Sequence, residues 1–180
     1  MFFLSVDFEM TGMDSDHDSI VSVGWVPIRK LAIDLEDAFH CLIKAPLSVG
    51  DSAGIHGIHD YELKRGLSLC DVVGSLLDDY REYTLVFHHA DLDLRFLQSA
   101  ISGCGKRLEC ISFMDTMDIE RRRLLRTGRA LKWDSLTLEN CLKRHGLPAG
   151  NQHEALGDAF SCAQLFLCQV ASYRNKISIE

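Results

Sequence analysis

The stretch LSVDFEMTGMD, residues 4–14, places two acidic side chains at the end of an apolar strand. Side chains two residues apart in an extended segment point to the same face, so Asp7 and Glu9 aim at one spot beside the core. Two carboxylates placed in this way repel each other and are costly to desolvate. The pattern therefore predicts a compensating cation, and Mg²⁺ or Mn²⁺ is the natural choice because both prefer oxygen ligands.

The composition is that of an ordinary globular protein, with 180 residues, 47% hydrophobic and 25% charged. This length predicts a single domain over residues 1–180 with a sizeable core. The N-terminus lacks the basic start of a signal peptide, and no apolar run approaches the roughly 20 residues that span a bilayer. We therefore expect a cytoplasmic protein with no membrane contact.

The seven cysteines are scattered, odd in number and never spaced C-x-x-C. This spacing argues against a disulfide framework and against a structural zinc site. We expect reduced thiols, most of them buried as small apolar side chains.

The net charge of −7 excludes a protein that coats nucleic acid non-specifically, because such proteins are basic. Contact with phosphates must then be local, through metal ions, backbone amides or a small basic patch. One basic cluster is present, at Arg121, Arg122, Arg123, Arg126, Arg129 and Lys132. It is either a phosphate-steering surface or a solvated helix face.

Hydrophobic periodicity predicts strands and helices along the whole chain. Strands are predicted at 2–8, 19–27, within 31–44, at 84–87 and at 111–114. Helices are predicted at about 69–77, through 96–101, at 135–145 and at 154–173, with a glycine-rich loop over 45–60. This order predicts a mixed α/β domain, whose site lies at the strand ends.

Three further acidic pairs, Asp34/Glu36, Asp60/Glu62 and Asp118/Glu120, share the Asp-x-Glu spacing. Their segments are polar enough to be solvated faces, whereas Asp7/Glu9 ends a β-rich run. Asp93 falls where a strand gives way to a helix, and Asp158 falls in the first turns of the last helix, just after His153. If these regions converge, four carboxylates and a histidine share one site.

Three motifs in this order carry a resemblance to a known family. VDFEMTG (6–12), HHADLDLRFL (88–97) and HEALGDA (153–159) resemble the exonuclease motifs of the DEDDh 3′–5′ exonucleases. The likeness is strongest to the proofreading epsilon subunit of DNA polymerase III, and it extends to IHGIHD (55–60) and MDT (114–116). The resemblance implies a ribonuclease-H-like fold, a mixed five-stranded sheet flanked by helices.

The resemblance also implies a catalytic machinery. By similarity, Asp7, Glu9, Asp93 and Asp158 bind two divalent metal ions, Mg²⁺ or Mn²⁺, and His153 is the general base. Two such ions stabilise the attacking and leaving oxygens of an in-line displacement, and the 3′-terminal nucleotide leaves as a 5′-monophosphate. Asp91, two residues before Asp93, is the alternative second acid; the x-x-Phe-Leu that follows Asp93 favours the latter.

Substrate contacts are assigned in the same way. Thr11, Gly12 and Met13 match the segment that lines the terminal nucleotide, and Gly12 permits a close backbone approach. His89 stands where the family commonly has Asn, and an imidazole has a different reach from an amide, so the departure concerns substrate preference. Asp115 and Thr116 are assigned a structural role.

The leading prediction is a metal-dependent 3′–5′ exonuclease acting on single-stranded or frayed DNA. An RNA-trimming exoribonuclease of the oligoribonuclease or ribonuclease T type has the same acids, and such enzymes typically work as homodimers. A non-catalytic, polymerase-associated binding subunit is the alternative of another class. The predicted partners are nucleic acid 3′ ends, with a polymerase partner and a monomer or homodimer left open; no polymerase-binding tail is evident after residue 174, which favours a freestanding enzyme.

Overall fold

The structure is a computed structural model that describes residues 2–44, 48–107, 111–128, 130–149 and 153–177. It is a mixed α/β fold, as the sequence predicts. The strands are β1 (Phe2–Met10), β2 (Ile20–Arg29), β3 (Ala32–Ile33), β4 (Phe39–Leu42), β5 (Thr84–Phe87) and β6 (Phe113–Asp115). The helices are α1 (Ala53–His56), α2 (Asp60–Leu63), α3 (Leu69–Asp79), α4 (Ala90–Gly103), α5 (Thr116–Arg126), α6 (Leu138–Arg144) and α7 (Ala155–Ile177).

All six strands form one sheet with the order β3-β2-β1-β5-β6, and β4 pairs with β2 beside β3. β1 pairs antiparallel with β2 and parallel with β5, and β5 pairs parallel with β6. The third strand predicted within 31–44 is therefore two short strands sharing one edge of β2. They are split because residues 34–38, which include three acids, leave the sheet.

Helices cover both faces of the sheet, because the side chains of β1 alternate between two cores. Leu4, Val6 and Phe8 face α3 and α4, in a cluster that contains Leu76 and Leu97. On the opposite face, Phe3 packs with Phe166 of α7, with ring centroids 4.7 Å apart. Asp7 and Glu9 share the odd-numbered face of Phe3 and therefore point toward α7.

Two expectations are corrected by the fold. No regular element was predicted for the segment 45–60, but it contains a 3₁₀ turn (Gly50–Ser52), α1 and the first residue of α2. Residues 45–47 lie outside the described part. The cysteines were expected to be reduced, but Cys70 of α3 and Cys104 after α4 form a disulfide with Cα atoms 5.4 Å apart. Sequence spacing could not predict this pair, because its two residues meet only when α3 packs on α4.

The remaining cysteines follow the expectation in part. Cys41, Cys141 and Cys162 are buried free thiols, and Cys168 is half-buried. Within the described residues, no helix is both long and apolar enough to cross a membrane.

Candidate active site

The site begins at the C-terminal half of β1, which extends beyond its neighbour β5. The pairing with β5 ends at Ser5, whereas the pairing with β2 continues through Asp7 opposite Gly24 and Glu9 opposite Ser22. An irregularity in the register between Glu9 and Met10 then ends the regular ladder. The two carboxylates therefore stand at an open edge of the sheet, on the face that α7 covers.

The N-terminal end of α7 contacts β2 directly at Gly24. A Cβ built on Gly24 would lie 2.3 Å from the backbone nitrogen of Leu156 and 2.4 Å from the carbonyl carbon of Ala155. Only a residue without a side chain permits this approach. Since Gly24 is opposite Asp7, the contact brings the first turn of α7, and with it Asp158, to the β1 acids.

Three carboxylates converge as a result. Carboxylate oxygens of Asp7, Glu9 and Asp158 all lie within 4.8 Å of one another. Glu9 is only 8% exposed, and Asp7 and Asp158 are half-buried. The three carboxylates are therefore partly withdrawn from bulk water. A cluster of this size and ligand type fits a hard divalent cation.

The fourth predicted acid, Asp93, lies in the first turn of α4 and is 5% exposed, while Asp91 is exposed. Asp93 is not one of the three acids that meet within 4.8 Å, yet its charge contributes to the raised pKa of Asp7. The exposure of Asp91 and the burial of Asp93 support the choice of Asp93.

The acids perturb one another strongly. Burial, followed by the charges of Asp93, Asp158 and Glu9, raises the pKa of Asp7 well above its usual range. Burial and then the charge of Asp158 raise the pKa of Glu9 to about 7. Burial and then the charge of Asp115 raise the pKa of Asp93, and burial raises the pKa of Asp158. Without a cation, these groups resist becoming fully ionised together.

His153 lies at the rim of this cluster. Its side chain is exposed, and its backbone has a positive φ of 63°. Its backbone N–H donates a hydrogen bond of 2.9 Å to Oδ2 of Asp158, which ties its position to that carboxylate. His56 lies close enough for its pKa to be affected by His153. Burial and then the charges of His153 and His59 lower the pKa of His56.

The Thr11–Met13 segment forms the start of a loop that Asp18 closes. Thr11 Oγ1 donates to Asp18 Oδ1 at 3.0 Å, and the backbone N–H of Asp14 donates to Asp18 Oδ2 at 2.9 Å. A Cβ on Gly12 would lie 2.3 Å from the Asp18 carboxylate, so the loop itself requires this glycine. This internal constraint is compatible with the predicted approach of the terminal nucleotide to Gly12, which stays a prediction. Met13 is 69% exposed and stands free at the loop tip.

The His88-His89 pair is fixed by its backbone and by α5. His88 Nδ1 and Thr116 Oγ1 are 2.8 Å apart, and His88 Nε2 donates to the Leu136 carbonyl at 2.8 Å. His89 precedes α4 with a left-handed backbone at φ 94°. Asp115 accepts bonds from the backbone N–H groups of His89, Ala90 and Met117, which confirms its structural role.

The structure corrects one sequence interpretation of α5 and describes the pairing of its basic cluster. Glu120 was assigned to a solvated face but is fully buried, because Arg123, Arg144 and His145 surround it at 2.7–3.0 Å. In the basic cluster, Arg121 and Arg122 pair with Asp118, and Arg123 pairs with Glu120. These arginines are thus largely committed to their own helix; Arg129 lies outside the described residues.

Sequence reasoning overlooked two residues beside the site. Gly24 belongs to a predicted strand and was assigned no further role, although a glycine inside a buried strand often indicates that another backbone approaches closely. Trp133 was not considered, yet it is 96% exposed in the segment before α6.

Comparison with known proteins decides the family. The family model described as "RNase_T: Exonuclease" matches residues 4–166. The chain belongs to the RNase_T exonuclease family. It is 30% identical over 166 residues to DNA polymerase III PolC-type of Thermotoga maritima, and 26% identical over 164 residues to the 3′-5′ exonuclease DinG of Staphylococcus aureus strain RF122.

The alignments cover 92% and 90% of this chain but only 12% and 17% of those two relatives. The chain therefore spans less than a fifth of their length. Among solved structures, the nuclease domain of 3′hExo, a DEDDh family member bound to rAMP, has a TM-score of 0.78 at 14% identity, covering 95% of this chain and 92% of that one. E. coli exonuclease I in complex with a dT13 oligonucleotide has a TM-score of 0.79 at 14% identity, covering 92% of this chain and 40% of that one.

These likenesses confirm the ribonuclease-H-like fold class and the DEDDh exonuclease resemblance. The sheet has the five predicted strand positions, with the outer one divided between β3 and β4. The family model identifies the chain as a member of an exonuclease family, and one of its relatives, DinG, is named a 3′-5′ exonuclease.

Proposed function

We propose that this RNase_T exonuclease family member removes nucleotides from the 3′ end of single-stranded or frayed DNA and releases nucleoside 5′-monophosphates. The observation that carries the proposal is the convergence of Asp7, Glu9 and Asp158 within 4.8 Å, with buried Asp93 beside them. Residues 1–180 would act as one exonuclease domain.

The acids fit divalent cations, since they supply only oxygen ligands and their pKa values are raised first by burial and then by the charges of neighbouring acids. We assign two Mg²⁺ or Mn²⁺ ions to Asp7, Glu9, Asp93 and Asp158, with Asp7 nearest the centre. When bound, the ions would stabilise the charge on the attacking and leaving oxygens of the phosphodiester.

His153 would act as the general base. Its imidazole is exposed and would take a proton from an attacking water, and the bond from its backbone N–H to Asp158 holds the residue at the edge of the acid cluster. The residues proposed to contact the terminal nucleotide are Thr11, Gly12, Met13 and His89. Of these, Met13 offers the largest exposed apolar surface, 69% of its maximum.

The choice of DNA rests on the relatives. The PolC-type polymerase and DinG are both named for DNA synthesis or exonuclease action, and exonuclease I is bound to a DNA oligonucleotide. The 3′hExo domain is bound to rAMP, a ribonucleotide, which keeps an exoribonuclease as the second candidate. A polymerase partner is suggested only by the PolC-type likeness.

The test is gel-resolved digestion of 5′-labelled single-stranded DNA and RNA of matched sequence, with Mn²⁺, with Mg²⁺ and with EDTA. Wild type should give a ladder that shortens from the 3′ end only with metal, and Asp7→Asn should lower the rate by at least about 10³-fold. Glu36→Gln is the matched control, since Glu36 belongs to an exposed Asp-x-Glu pair and should digest normally.

The ratio of the DNA rate to the RNA rate then separates the two candidate substrates. A metal-independent ladder, or full activity in Asp7→Asn, would remove the metal assignment. No ladder on either substrate would favour a non-catalytic binding subunit.

A further inference from the structure

Trp133 presents almost its whole indole ring to solvent beside the acid cluster. It is 96% exposed, the highest value among the large apolar side chains, and within the described residues it makes no ring contact. The other tryptophan, Trp25, is 3% exposed and stacks on Phe39 with ring centroids 4.2 Å apart. A single exposed apolar side chain is ordinary, but this ring also borders the candidate site and its face is available to stack on a ligand.

Trp133 also lines a cavity that opens onto the acid cluster. The cavity has a volume of about 400 Å³ and lies between α6 and the start of α7. Its wall contains the predicted base His153 and the acid Asp158, together with the apolar side chains of Leu138, Leu142 and Ala149. The indole and the proposed catalytic groups therefore border one continuous space, which is large enough for a nucleobase.

The charge of the lining selects which part of a nucleic acid enters. Asp134 stands on the same wall and Asp158 is negative when ionised, while the charge of Glu139 is paired with Lys143. A phosphate would be repelled there, whereas an uncharged base that carries amino and imino donors would be accepted. Base–aromatic stacking contributes about 1–3 kcal/mol per base and does not depend on which base is present.

The position of the cavity indicates which nucleotide it receives. Thr11, Gly12 and Met13 follow β1 and are assigned to the terminal nucleotide, whereas the described lining of the cavity contains no residue of β1 or of that loop. A strand whose 3′-terminal nucleotide lies on the β1 side of the acids would therefore place the preceding nucleotide on the α6 side.

We propose that Trp133 stacks on the base of the penultimate nucleotide and so holds the shortened strand, which is the leaving group of the cleavage. This inference rests on the proposed function, because it assigns the two sides of the scissile phosphate. Trp133 is a positioning residue. It holds the shortened strand in place and takes no part in the proton or phosphate chemistry.

The first test is fluorescence, which does not require turnover. In an Asp7→Asn background with Mg²⁺, a (dT)₈ strand should quench the emission of the exposed tryptophan in a saturable titration. The double variant Asp7→Asn, Trp133→Phe should show no such quenching in the same titration, because the buried Trp25 is then the one remaining tryptophan. Quenching of equal size in both proteins, or none in either, would overturn the proposal.

The second test is kinetic and uses two substrates. For single-stranded DNA, Trp133→Ala should raise KM about 5- to 150-fold, the range that corresponds to the loss of one stacked base, with kcat nearly unchanged. The methyl ester of thymidine 5′-monophosphate has no ring on the leaving side, so its hydrolysis should be the same in the variant and in wild type. Tyr173→Ala removes another exposed aromatic ring, 61% exposed and near the far end of α7, and should change neither.

The two hypotheses fail in different ways. If wild type cleaves neither substrate but Trp133 is still quenched, the exonuclease assignment falls and the nucleic-acid contact stands. If wild type is active while Trp133→Ala leaves the KM for DNA unchanged, the contact is wrong and the exonuclease assignment is untouched.

Discussion

Gly24 of β2 lies against the backbone of Ala155, where α7 begins, so closely that a Cβ on Gly24 would be 2.4 Å from the Ala155 carbonyl carbon. Gly24 is also the residue opposite Asp7 in the sheet. This one contact therefore couples the strand that carries Asp7 and Glu9 to the helix that carries Asp158. A metal site assembled from separate elements depends on such backbone contacts as much as on its ligands.

Gly24→Ala should disrupt the site without touching any acid. The added methyl must displace the start of α7, and with it Asp158 and His153, so activity should fall by at least about 100-fold. We expect the unfolding free energy to fall by about 1–3 kcal/mol because of the overpacking. Gly103→Ala is the control, since a Cβ there meets nothing within 4 Å and should leave both quantities within error. Wild-type Mn²⁺ affinity in Gly24→Ala would show that α7 is not held by this contact.

The metal-free protein should lose stability as the pH rises from about 4.5 to 7. The pKa of Glu9 is raised from its ordinary value of 4.5 to about 7, mainly by burial. Between these values the unfolded chain releases a proton that the folded protein retains, so stability falls with rising pH, by roughly 3 kcal/mol from Glu9 alone. The raised pKa values of Asp7, Asp93 and Asp158 act in the same direction.

Denaturant titrations in EDTA at pH 5, 6, 7 and 8 would measure this loss, and Glu9→Gln should remove most of it. Adding Mn²⁺ should stabilise the protein increasingly as the pH rises, since only the ionised carboxylates bind the ion. A stability that rises through this pH window in EDTA would mean that the acids are less strongly coupled than their geometry indicates.

Glu120 should be a structural requirement of the α5–α6–α7 layer. Burial alone would raise its pKa, but the bonds from Arg123, His145 and Arg144 outweigh burial and lower the pKa to about 2. Glu120→Gln should therefore destabilise the protein by about 2–4 kcal/mol, because the partly buried Arg123 and Arg144 lose the charge that they pair with. Arg122→Ala breaks an exposed pair with Asp118 and should change stability by less than about 1 kcal/mol. Similar losses in the two variants would refute the distinction.

His89 should be replaceable with a gain in stability. Its left-handed backbone, at φ 94°, is unfavourable for most side chains but is tolerated by Asn and Gly. This offers a backbone reason for the Asn that the family resemblance implies at this position. We expect His89→Asn to stabilise the fold by about 0.5–1 kcal/mol and His89→Ala to do no better than wild type, as measured by thermal unfolding. An Ala variant as stable as the Asn variant would exclude the backbone explanation.

Most of the main elements could be predicted from the sequence in type and order, although α1, α2 and the division of the third strand could not. Alternating apolar residues in β1, and the same-face placement of Asp7 and Glu9, follow from the two-residue period of a strand. The helix starts before Asp93 and Asp158 were predictable because apolar periodicity changes there. The motifs then indicated the family without any structure.

The pairs of distant residues that meet could be found only from the folded structure. The burial of Glu120, the Cys70–Cys104 disulfide and the exposure of Trp133 depend on how helices pack, and residue spacing along the chain carries no information about those contacts. The convergence of Asp158 on Asp7 depends likewise on the missing side chain of Gly24. Local periodicity is set by neighbours in sequence, whereas the site is set by contacts between elements that are far apart in the chain.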